Sequence, residues 1–137
     1  MPKLSAVRDG LRQAPGTVLV FALLLTLQAA AFLGFGLFEA TQLHGGRVMT
    51  GLMTALLLVA WGVALVTLAG AAVAGRGWSR GPAVALELIH IPVAWSFLGG
   101  RTTWVAVALG VSSLVAVVLV LLPPSTAHLV GPGRRSG

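Results

Sequence analysis

Two side chains able to exchange protons or bind cations, Glu87 and His90, lie in the otherwise apolar segment ALELIHIPVAWSF, with Pro92 just beyond them. At a spacing of three they project from one face of a helix. Counted from Pro82 at about 1.5 Å per residue, Glu87 lies roughly 8 Å and His90 roughly 12 Å along that helix. A charged carboxylate at this depth in hydrocarbon is costly, so an ionisable residue here is by default a functional candidate with a partner to be named. Pro92 takes away the amide that would bond to the Leu88 carbonyl and loosens the backbone beside the pair.

Three chemistries fit these two residues. In the first, Glu87 takes up and releases a proton or binds a cation, with His90 as relay. In the second, the pair is half of a metal site, because Glu-x-x-His spacing occurs in di-iron carboxylate bundles. Such a site needs further carboxylates from facing helices. Glu39 is the other carboxylate near the membrane, and it falls at the opposite interface. A haem held by two histidines fails similarly, since His44 and His128 flank opposite ends. No metal and no cofactor are therefore expected. In the third, the residues act as interhelical hydrogen-bonding groups. Glu87 is then neutralised or paired with Arg80 or Arg76, and His90 bonds to a group such as Gln28. Gln28 stands alone in the middle of the first apolar stretch and reads as another such group. Glu39 and His44, followed by Gly45-Gly46, form an outer-loop candidate for a metal or proton site whose plainer reading is a solvated turn. No catalytic set is visible: no nucleophile pairs with a base and an orienting carboxylate, and the long apolar stretches hold no aspartate.

These residues sit in an unusually apolar chain. Of 137 residues, 57% are hydrophobic and 9% charged, with a mean hydropathy of +0.97. Soluble domains carry about 25% charged residues, so this composition lacks the polar surface for water. The net charge is +6 and the pI ≈ 12.0. The basic residues nevertheless stand singly or in pairs between apolar runs, without the clustered face that nucleic acid requires. The absence of cysteine excludes disulfides, thiolate ligands and thiol catalysis.

The elements that must position the polar residues are four apolar stretches, about 15–38, 48–74, 82–98 and 102–122. A spanning helix needs roughly 20 apolar residues. The stretches lack period-two alternation, and backbone groups in lipid must bond internally, so helices are predicted. The expectation is an all-α, four-transmembrane-helix bundle over residues 14–124, with a cytoplasmic N-terminal segment at 1–13 and a disordered cytoplasmic tail at 125–137. The basic lead and Ala29-Ala30-Ala31 could suit a cleaved signal peptide, but Phe32 to Phe38 continues the apolar run, so a retained helix is expected. Short connections make successive helices antiparallel neighbours. With both termini inside, Lys3, Arg8, Arg12, Arg76, Arg80, Arg134 and Arg135 face the cytoplasm, and Arg47 and Arg101 lie outside. That is seven against two, the positive-inside pattern. Trp78 and Trp104 fall near helix ends, where indoles favour the interface, and Pro123-Pro124 ends the last helix.

Small residues four apart suit close helix packing: Ala30 with Gly34, Gly51 with Ala55, Ala71 with Gly75, and Ala106 with Gly110. Ser112 and Ser113 are placed to bond either to their own helix or across a helix contact. The leading functional expectation is non-enzymatic: a small subunit of the cytoplasmic membrane, packed in the lipid bilayer against itself as a homo-oligomer or against a larger membrane-protein complex. The alternative is a small oligomeric transporter or channel with Glu87 and His90 lining its path.

The stretch from Gly75 to Pro124 resembles the second half of small four-helix integral membrane proteins of actinobacteria. The resemblance rests on Gly75-Arg76 with Trp78 and Arg80 before Pro82, on Ile91-Pro92-Val93-Ala94, and on the terminal prolines in LLPPS. It implies the four-helix architecture and no particular activity. The group often carries glutamine and leucine where this chain has Glu87 and His90, so the resemblance implies no group-wide transport through that pair.

Overall fold

A computed structural model describes residues 3–131. Every described residue outside short connections is helical: α1 (Leu4–Gln13), α2 (Gly16–Thr41), α3 (Val48–Val73), α4 (Arg80–Ser96), α5 (Thr103–Leu121) and α6 (Pro123–Val130). Single 3-10 turns at Gly45–Arg47, Gly77–Ser79 and Gly100–Thr102 lead into α3, α4 and α5. α2 runs past Phe38 because Glu39, Ala40 and Thr41 contain no breaker, and Thr41 bonds back to the Phe38 carbonyl at 2.7 Å. α3 ends at Gly75, whose φ of 71° lets Gly75 N–H reach Ala72 O at 3.0 Å and Arg76 N–H reach Ala71 O at 2.9 Å. This paired arrangement is the Schellman stop, which favours glycine at the left-handed position.

α2 and α3 form a long hairpin with very close backbones. A Cβ added at Gly62 would lie 2.6 Å from Leu33 Cγ and 3.0 Å from Ala29 O, and one at Gly36 would lie 3.1 Å from Ala55 O. α4 and α5 form the second hairpin, where Gly110 faces Ala94. α2 and α5 join the two hairpins. The core is filled by Val18, Phe21 and Leu25 of α2, Leu65 and Leu68 of α3, Ala83 of α4, and Ala116 and Val120 of α5. Outward faces remain apolar, with Leu23, Leu27, Phe35, Leu57, Val111 and Leu114 all exposed. A continuous surface of this kind belongs against lipid.

Three helical segments are long and apolar enough to cross a membrane: Gly16–Thr41, Gly45–Val73 and Gly100–Leu121, with mean hydropathies of 2.3, 2.4 and 2.6. The chain therefore has the build of a multi-pass membrane protein. α4 is shorter, at 17 residues, or about 25 Å. A hydrocarbon core is about 30 Å thick.

Two features differ from the sequence reading. α3 and α4 are sequential and antiparallel but meet sparsely, leaving an open apolar groove lined by Ala64, Thr67, Leu68, Trp78, Pro82, Ala85 and Leu86. The Gly75–Ser79 connection reverses the chain without forcing the helices together, and α2 holds α3 instead. The segment from 125 onward, expected to be disordered, begins as helix α6. Pro123 does end α5, with Leu122 pushed to φ −60°, ψ 148°, as a residue before proline must be. The same proline then starts α6, where its missing N–H costs nothing. α6 is tied down by Ser125 Oγ donating to Thr17 Oγ1 at 2.8 Å and by His128 Nε2 donating to the Val73 carbonyl at 3.1 Å. The rest of the tail, with Arg134 and Arg135, lies outside the described residues. α1 lies at the same end, its Gly10 pressed on the Val73 carbonyl. α1, α6 and the Gly75–Ser79 turn thus share one end of the bundle, and the other two inter-helix turns lie at the opposite end.

Candidate functional site

The inward face of α4 carries Glu87 and His90, at 0% and 1% exposure. α2 brings Gln28 to them, 7% exposed, α5 brings Ser112 and Ser113, and α3 brings Trp61. Each residue is a polar exception on an apolar helix, and one enclosed cluster lets all of them find partners in place of water.

Gln28 Nε2 donates to Glu87 Oε2 at 3.3 Å and to Ser112 Oγ at 3.0 Å, with Ser113 Oγ at 3.5 Å. Ser112 in turn donates to the Leu109 carbonyl at 3.0 Å. Trp61 Nε1 donates to His90 Nε2 at 2.8 Å. An indole N–H can only donate, so His90 Nε2 accepts and the ring hydrogen resides on Nδ1. Nδ1 faces Glu87 Oε2 at 3.3 Å and Ser113 Oγ at 3.3 Å. Phe32 stacks on the imidazole with centroids 5.3 Å apart. Two acceptor oxygens in the cluster, Gln28 Oε1 and Glu87 Oε1, are buried with no hydrogen-bond partner.

The fold thus gathers a serine, a histidine and a carboxylate, but not in the order of a hydrolytic relay. A relay needs the serine on one imidazole nitrogen and the carboxylate on the other. Here both meet Nδ1, and Trp61 occupies Nε2. What this wiring does is bind α2, α3, α4 and α5 together at mid-height through directional bonds.

Of the sequence candidates, Glu87, His90 and Gln28 come together. Gln28 pairs with Glu87 rather than with His90, and Glu87 has no Lys or Arg ion-pair partner among the described residues. Glu39 is half-buried and His44 exposed. Glu39 lies 11 residues beyond Gln28 on α2, about 16 Å along its axis, so the outer-loop pair stays apart from the cluster. Among the described residues no three His, Cys, Asp or Glu side chains converge. Trp61 is the member that sequence reasoning missed. Its signal was position: Trp78, Trp95 and Trp104 stand near helix ends, whereas Trp61 sits at the midpoint of α3, where an indole N–H requires an internal partner.

No protein-family model, curated protein or solved structure matches this chain.

Proposed function

We propose that this protein is a non-enzymatic subunit of the cytoplasmic membrane that spans it four times, with both termini inside, and packs through α2 against a second copy or a larger membrane complex. The observation that carries this reading is the small-residue stripe Ala30–Gly34. In lipid, helices associate where small residues allow close approach. The other small pairs each turn at least one member inward, with Ala55, Ala71 and Ala106 buried. Ala30 and Gly34 instead face outward, and a Cβ added at Gly34 would meet nothing within 4 Å. The α2–α3 hairpin elsewhere uses glycines for just such close approaches, so an outward copy of the pattern fits a helix from outside the chain.

The resemblance of residues 75–124 to the actinobacterial four-helix proteins supports the same architecture. In that architecture α4 is the fourth and shortest span, at 17 residues. The transporter reading requires Glu87 and His90 to line a path. Their enclosure within one chain weighs against a path between copies.

Gentle detergent extraction followed by mass measurement of the intact assembly tests the proposal. The expected result is a defined homo-oligomer or a stoichiometric partner, lost on Gly34→Leu while the chain stays helical. A wild-type monomer with no partner would overturn it.

A further inference from the structure

We infer that the buried polar cluster is a binding site for one monovalent positive charge, a proton or Na⁺, taken up at the Glu87 carboxylate, with Gln28 Oε1 as the cluster's other free acceptor. The inference does not depend on the subunit reading above. Both oxygens are buried acceptors without a donor, a state that costs about 1–3 kcal/mol per group. Four neighbouring donors are directed elsewhere: the Gln28 amide to Glu87 Oε2 and Ser112, Trp61 to His90, Ser112 to Leu109, and His90 Nδ1–H to Glu87 Oε2 and Ser113. Charge points the same way. Glu87 is fully enclosed, His90 accepts from Trp61 and so brings no positive charge, and no Lys or Arg reaches the carboxylate among the described residues. An uncompensated buried carboxylate is strongly unfavourable. A neutral donor such as a water molecule would satisfy the oxygens but leave the charge. A small cation taken up at the carboxylate answers the charge, and carboxylate, amide and hydroxyl oxygens, all present in the cluster, are the hard donors such ions take.

Thermal melting of the full chain in detergent, in NaCl against choline chloride at matched ionic strength, tests this with two variants. Glu87→Gln keeps the side chain's length and removes the charge that calls for the cation, so it should melt no lower than wild type. Glu87→Ala deletes the group and should melt lower than both. If Na⁺ is the occupant, it raises the wild-type midpoint and leaves that of Glu87→Gln unmoved. If the occupant is a proton, the two salts give one midpoint and Glu87→Gln keeps its stability. Loss in Glu87→Gln as large as in Glu87→Ala, in both salts, would overturn the site, as would Glu87→Ala melting with the wild type.

Discussion

Trp61 donating to His90 Nε2 at 2.8 Å sets which imidazole nitrogen carries hydrogen, and so turns Nδ1–H toward Glu87 and Ser113. Trp61→Phe keeps an aromatic ring in place and removes that donor. The expected loss is about 1–3 kcal/mol, because His90 Nε2 is left buried without its bond. Gln28→Leu should cost a similar amount by stripping Glu87 Oε2 and Ser112 of a donor. The two residues share the His90–Glu87 unit, so the double variant should depart from additivity by about 0.5–3 kcal/mol. Chemical or thermal unfolding in detergent reads all of these, and strict additivity would show that the cluster is not one network. At this scale Glu87, His90 and Gln28 were legible because charge or amide groups stand out in a greasy helix. Trp61 was not, because an indole reads as apolar until its N–H must be accounted for.

At the scale of elements, α3 and α4 show how a connection and a contact can be separate. The Schellman stop at Gly75 turns the chain, yet the helices it joins diverge enough to leave the groove lined by Leu68, Trp78 and Leu86. Gly75→Ala should destabilise by about 1–2 kcal/mol, since an L side chain resists the left-handed backbone. Gly16→Ala offers the contrast. Gly16 opens α2 without a positive φ and with nothing within 4 Å of an added Cβ, so alanine should be neutral or raise stability by about 0.5 kcal/mol. Equal effects from the two changes would contradict this account of the α3 terminus. Helix positions were readable from apolar length, and Pro123 was readable as a stop. Its second role as the first residue of α6 was not, because the anchoring bonds from Ser125 to Thr17 and from His128 to Val73 connect residues far apart in sequence.

For the whole molecule, the question is how many times the chain crosses the bilayer. The chain lacks cysteine, so single cysteines report sidedness without background. In the four-span arrangement, Gln42→Cys and Arg101→Cys should react with an impermeant maleimide from outside intact cells. Ser5→Cys and Trp78→Cys should react only after permeabilisation. Labelling of Arg101→Cys from the same side as Trp78→Cys would show that α4 does not cross. The gathering of α1, α6 and the Gly75–Ser79 turn at one end places Lys3, Arg8, Arg12, Arg76 and Arg80 toward the same face, which the four-span proposal takes as the cytoplasmic one.

Composition and pattern alone determined that this chain is helical and lipid-facing, because hydrophobic length and backbone self-bonding are local properties of each stretch. They also marked Glu87, His90 and Gln28 as groups in need of partners. Only the tertiary structure decided who those partners are. Partner choice depends on the rotation and height of four helices relative to one another, which for α2 and α3 is set by the close approaches at Gly36 and Gly62. No single stretch of sequence carries that information, since each contact is made by residues from two helices at once.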